Sequence, residues 1–149
     1  FDPGGFYSDA AMWRALEASG LTSKVRELPG RLDFKVKDGG SNFSSGERQL
    51  IALTRALLSA HRTKVLLCDE ATAHVDLHTD DKIHDTLLKM GLTVIMICHR
   101  LQHIHRFDYV AVLDAGTVGE FGPPLTLLKT KGSYLRSLFE HANIAVPQL

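Results

Sequence analysis

No phosphate-cradling loop of the form G-x-x-x-x-G-K-[ST] occurs in this chain, and none of its 12 glycines is followed by lysine. Closing backbone N–H groups and a lysine around a phosphate by that device is therefore excluded. An excess of either charge is also missing, since Lys+Arg and Asp+Glu each number 17. That balance argues against a nucleic-acid partner, which calls for a strongly basic surface, and against an acidic solvating tail. The longest apolar stretches fall far short of the ~20 residues of a membrane-spanning helix, and no signal-peptide pattern opens the sequence. Cysteine is scarce. Cys68 and Cys98 each close an apolar run, which fits small buried residues in a reducing compartment better than a disulfide. The chain begins at Phe1, not Met, inside a turn-like stretch; the expectation is a fragment.

What is present is globular. The 149 residues, 44% of them hydrophobic, suit one ordinary domain. A chain of this size can bury about 68–70% of its unfolded surface. Phe1 to Phe6 reads as a Pro/Gly turn. Ser8 caps a predicted helix through Ser19, ended by Gly20. A short helix is predicted near Lys24 to Leu28, then a charged, glycine-rich loop from Arg31 to Ser41. Leu50, Leu53, Thr54, Leu57 and Leu58 repeat at helical spacing within Glu47 to Ala60. Val65 to Cys68 is apolar at every position, which predicts a strand covered on both faces, as in a parallel sheet. A helix over Leu77 to Met90, a second buried strand over Thr93 to Cys98 and a short helix over Leu101 to Arg106 follow. Asp114-Ala115-Gly116 separates two strand-like runs as a hairpin would. Two short helices, Leu125 to Lys129 and Ser133 to Ala142, close the chain. The order indicates an α/β layer architecture.

Two patterns carry chemistry. The first is Asp69-Glu70 at the carboxyl end of a buried strand, where open α/β sheets place their ligands. Ionised carboxylates buried there cost several kcal/mol each without compensation. Magnesium, which takes one or two carboxylates and keeps several waters, is the natural compensation. Asp69 would organise the metal shell, and Glu70 would orient and deprotonate a water attacking a terminal phosphate. The alternative is that both acids merely cap the following turn. The second pattern is Ser44-Ser45-Gly46-Glu47, which has the S-x-x-E spacing of a capping box. The same turn, with small residues at a helix N-terminus, suits a phosphate approaching from another chain or domain. Taken with the acidic strand that follows, the phosphate reading is preferred.

Of the eight histidines, His99 follows the second strand as Asp69 ends the first, so adjacent parallel strands would bring it beside the carboxylates. It would donate to the terminal phosphate. His74 and His78 have the i, i+4 spacing of a metal pair but lack an obvious third ligand. His103 and His105 are expected at the surface, and His61, His84 and His141 suggest no function.

In this order and spacing the motifs resemble the C-terminal two-thirds of an ABC transporter nucleotide-binding domain, over Phe1 to about Asn143. Phe43-Ser44-Ser45-Gly46-Glu47 resembles the signature usually written LSGGQ, with Ser45 for the glycine at its third position and Glu47 for the glutamine. Its flanks, Asn42 and Arg48-Gln49-Leu50, and the opening Phe1-Asp2-Pro3, Tyr7-Ser8 and Trp13 are similar to the multidrug-resistance-associated (C) subfamily. Val65 to Glu70 resembles the Walker B strand, Ala73-His74-Val75-Asp76 the D-loop, and Cys98-His99-Arg100-Leu101 the switch histidine. Val112 to Gly116 and Glu120-Phe121-Gly122 resemble the hairpin that follows.

The resemblance implies a partial P-loop NTPase-like ABC ATPase domain: a helical signature part (1–60), then the second half of the core parallel sheet, from Walker B to the C-terminal part (61–149). It implies ATP and Mg²⁺ as cofactors, with Asp69 in the metal shell and Glu70 and His99 catalytic. Ser44, Ser45, Gly46, Glu47 and Asp76 would contact nucleotide across a head-to-tail dimer with a second nucleotide-binding domain. Transmembrane domains outside this chain would place it on the cytoplasmic face of a membrane. The function expected is ATP hydrolysis for an exporter. The alternative is a non-catalytic regulatory partner lending only its signature to another nucleotide site. Retention of Asp69-Glu70 and His99 argues against that role. A soluble ABC ATPase of chromosome maintenance or translation would instead show heptad arms or basic surfaces.

Overall fold

The computed structural model describes Asp2 and residues 4–146, so the Phe1 and Pro3 part of the expected opening turn lies outside the described residues. The chain divides into two compact units, Phe1–Cys98 and His99–Leu149.

In the first unit, Ser8 caps α1 (Asp9–Ala18) by accepting from the Ala11 N–H, and Gly20, at φ +81°, takes the left-handed conformation that turns the chain away. Next come α2 (Thr22–Glu27), two 3₁₀ turns, and α3 (Ser45–Ser59). α1 packs on α3, with Leu16, Leu50 and Leu53 in the shared core. A buried hydroxyl pair bolts the two helices together. Ser19 Oγ and Thr54 Oγ1 lie 2.7 Å apart, both fully buried, and Thr54 also donates to the Leu50 carbonyl at 2.7 Å. Each polar atom is thus satisfied inside an apolar contact.

β1 (Val65–Asp69) and β2 (Thr93–Ile97), joined by α4 (Leu77–Lys89), pair in parallel from Val65↔Thr93 to Asp69↔Ile97. Side chains alternate across a strand. Leu66, Cys68, Val94 and Met96 accordingly turn to the helical core. Val65, Leu67, Ile95 and Ile97 point the other way and remain 50–72% exposed. The expectation of strands covered on both faces thus holds on one face only. Nothing among the described residues covers the second face. Both cysteines are reduced, and burial pushes their thiols up.

The second unit holds a 3₁₀ turn (Leu101–Arg106), the antiparallel hairpin β3 (Val110–Asp114) and β4 (Thr117–Gly122), then α5 (Pro124–Lys129) and α6 (Tyr134–His141). Ala115 and Gly116, both at positive φ (46° and 79°), make the tight turn. Glu120 Oε2 accepts from Ser133 Oγ (2.8 Å) and the Leu135 N–H (3.0 Å), tying β4 to the start of α6. His103, expected at the surface, is buried instead, because the stretch winds as 3₁₀ against α5 and turns both His103 and Ile104 inward. No helix among the described residues is long and apolar enough to cross a membrane.

Candidate functional site at the end of the first strand

β1 ends on Asp69, whose exposed carboxylate makes no hydrogen bond or ion pair among the described residues. Glu70 follows with a left-handed backbone, φ +48°. That conformation is strained for a residue with a Cβ and persists only where neighbours over-determine it. They do so here. The Glu70 N–H donates to the Ile97 carbonyl at 2.9 Å, and its own carbonyl accepts from the Ala73 N–H and from Gln49 Nε2, each at 3.1 Å. The half-buried Glu70 is thereby anchored from β2 on one side and from α3 on the other.

The chain then turns through Thr72 and Val75, both buried, to Asp76, which caps α4. Asp76 Oδ1 accepts from the Thr79 N–H at 3.0 Å, and that bond holds its carboxyl below the usual range. His74 lies in this turn, outside α4, and is exposed. His74 and His78 therefore do not share a helical face, and the helical-pair argument for a metal fails.

At the start of α3 the capping box is complete. Ser44 Oγ accepts from the Glu47 N–H (3.2 Å), and Glu47 Oε2 accepts from the Ser44 N–H (2.7 Å). Glu47 Oε1 also meets Lys24 Nζ at 2.8 Å, and this partner, with the Ser44 N–H, holds the Glu47 carboxyl below its ordinary value. Glu47 is thus engaged within its own chain, and the exposed Ser44 hydroxyl, which accepts from the Glu47 N–H, also lies against its carboxylate. The turn is held by buried Phe43, edge-on to Phe34 at 6.0 Å, and by Arg48 Nη1, which donates to the Phe43 carbonyl at 2.8 Å. Asn42 braces the preceding loop through the Lys37 N–H and the Lys35 carbonyl.

Ser44→Ala in the 149-residue chain is expected to cost about 1 kcal/mol, the usual worth of such a cap, measured by urea unfolding. The depressed Glu47 carboxyl contributes stability that is present above the unfolded-chain pKa. It is lost as pH falls through the lower folded value.

The structure brings together, within the first unit, Asp69 and Glu70 at one strand end and the Ser44–Glu47 turn with the Glu70–Asp76 loop. His99 opens the second unit and is exposed. Sequence reasoning gave no role to Gln49, whose partners at Glu70 and His74 lie 21 and 25 residues away. No local pattern announces such a reach. It also passed over His84, buried on α4 with Nδ1 3.0 Å from the Asp80 carbonyl and 3.2 Å from its carboxylate. There the i, i+4 spacing was legible and the burial was not.

No protein-family profile matches the chain. It is 46% identical over 135 residues to ATP-binding cassette sub-family C member 3 of Rattus norvegicus, a match covering 89% of this chain and 9% of that protein. Sub-family C member 2 of Rattus norvegicus is 47% identical over 135 residues, with the same shares covered. Sub-family C member 4 of Mus musculus is 41% identical over 134 residues, 89% of this chain and 10% of that protein. The chain therefore spans about a tenth of the length of the curated relatives it matches. Among solved structures, a bacterial Atm1-family ABC exporter with ATP bound superposes with a TM-score of 0.81 and 30% identity, over 95% of this chain and 24% of that one. By sequence and by fold, this chain belongs to the ATP-binding cassette proteins of sub-family C, as a homologue of one segment of them.

Proposed function

We propose that the chain supplies part of the ATP-hydrolysing nucleotide-binding domain of an ABC-type membrane exporter, residues 1–60 as its helical, signature-bearing part and 61–149 running from the acidic strand to its C-terminal part. The observation that carries this reading is the end of β1, where an unpartnered Asp69 carboxylate stands beside a Glu70 whose backbone is fixed from both sides.

The donor set fits the implied metal, since Asp69 offers hard carboxylate oxygens with no partner among the described residues. When bound, ATP would supply the phosphoryl group and magnesium would neutralise its charge. Asp69 would hold that cation. Glu70 orients the attacking water and accepts its proton. His99 donates a hydrogen bond to the terminal phosphate.

Ser44, Ser45, Gly46, Glu47 and Asp76 face a nucleotide held by a second nucleotide-binding domain, in a head-to-tail pair. Of these, Ser44 and Ser45 carry exposed hydroxyls that can turn to phosphate, while Glu47 supports the turn through its cap and Lys24. The sandwich works beneath transmembrane domains, on the cytoplasmic face of the membrane.

The test is a hybrid in which this chain replaces the matched 135-residue stretch of the rat sub-family C member 3 protein. Retained ATP turnover in purified hybrid is expected. A folded, membrane-inserted hybrid without turnover overturns the reading. The 149-residue chain by itself, lacking the lysine-bearing loop, is expected to give no micromolar ATP binding by calorimetry. Such binding would place a phosphate cradle within these residues and overturn the proposed division of labour.

A further inference from the structure

Gln49 sits half-buried in the second turn of α3 and uses both ends of its amide across the turn that follows β1. Nε2 donates to the Glu70 carbonyl at 3.1 Å, and Oε1 accepts from the His74 N–H at 3.2 Å. The orientation of this amide is fixed by its partners. A flipped group would set NH₂ against N–H and oxygen against oxygen. One turn earlier on the same helix, Gly46 approaches so closely that a Cβ there would lie 2.5 Å from the His74 carbonyl oxygen. The start of α3 and the Glu70–His74 turn are thus joined twice, by an amide clamp and by backbone contact that only glycine admits.

From this geometry we infer that Gln49 is the positioning residue that sets Glu70 and couples it to the Ser44–Glu47 turn. The inference rests on the reading of Glu70 as the group that handles the attacking water. Glu70 holds a left-handed backbone, and that backbone sets where its carboxylate starts. Gln49 is a long-range side chain anchoring its carbonyl, and it rides on the helix whose first turn faces the other nucleotide in the proposed sandwich. A shift of α3 as that nucleotide binds or leaves is therefore transmitted to Glu70 through one amide.

Two variants separate the halves of the clamp. Gln49→Ala removes both bonds. Gln49→Glu keeps the size and the acceptor for the His74 N–H but presents no donor to the Glu70 carbonyl. In the hybrid transporter both are expected to lower kcat on the order of 10- to 100-fold, the scale of a small misplacement of a catalytic group, with KM for ATP unchanged. In the 149-residue chain, the His74 amide is expected to exchange about 5- to 10-fold faster in Gln49→Ala, as for loss of one hydrogen bond, and at the wild-type rate in Gln49→Glu.

Wild-type kcat in Gln49→Glu, in a hybrid that Glu70→Gln inactivates, overturns the positioning role and leaves the role of Glu70 standing. Full turnover in Glu70→Gln overturns the role of Glu70 and this inference with it. Equal His74 exchange in all three chains overturns the clamp itself. Should Gln49→Ala misfold, the near-isosteric Gln49→Glu decides alone.

Discussion

Exchanging Glu70 for glutamine is expected to cut ATP turnover of the hybrid transporter by about 10²–10⁴-fold, the usual worth of a positioned proton acceptor, while ATP binding persists. Glutamine has the same length and the same backbone, so the bonds that fix position 70, from Ile97, Ala73 and Gln49, all survive. Only the proton-accepting carboxylate is lost, and the site's negative charge falls by one, which does not weaken binding of an anionic nucleotide. Phosphate release measures the first effect and nucleotide binding to the purified hybrid the second. Turnover equal to that of the parent would reject Glu70 as the water-activating group. Asp69→Asn should behave differently, because it removes the unpartnered carboxylate proposed to hold the cation and is expected to weaken binding of the magnesium nucleotide.

The second large effect concerns the bare face of the parallel pair. Val65, Leu67, Ile95 and Ile97 form one side of β1–β2, each at least half exposed. Covering a Val, Leu or Ile completely stabilises by about 1.5–3 kcal/mol each, and parallel sheets occur almost only with both faces covered. The 149-residue chain by itself is therefore expected to self-associate through this face. Sedimentation velocity should show a mass rising with protein concentration, more so in sulfate, which strengthens apolar burial. Leu67→Thr with Ile95→Thr keeps strand-forming residues while removing most of the driving force, and should shift the chain toward monomer. A parent chain that stays monomeric and melts cooperatively without aggregation contradicts this expectation.

Much of the strand end and of its flanking turns is legible in the sequence alone. The capping box at Ser44 and Glu47 needs only a three-residue spacing, and it folds as read. The hairpin around Ala115-Gly116 is likewise local, and so is the stop at Gly20. Parallel pairing of Val65–Asp69 with Thr93–Ile97 followed from two apolar runs flanking a helix. What stayed hidden is what depends on distance along the chain or on a change of helical period. Gln49 reaches partners more than twenty positions away, and although it flanks the signature-like turn, no local spacing reveals that reach. His103 turned inward because its segment winds as 3₁₀, a shift that the sequence there does not advertise. The left-handed backbone of Glu70 was equally invisible, since glutamate rarely adopts it. The run at Val65 predicts two covered faces, and only one cover lies among the described residues.

Gly46 has an implication for genetics. A missense change at this codon, even to alanine, would press a methyl against the His74 carbonyl and disturb the Glu70–Asp76 loop as well as the Ser44–Glu47 turn. Lesions at that codon therefore have two defects superimposed. Any deficit they cause needs a compensating change near residue 74 before it can be credited to nucleotide contact alone.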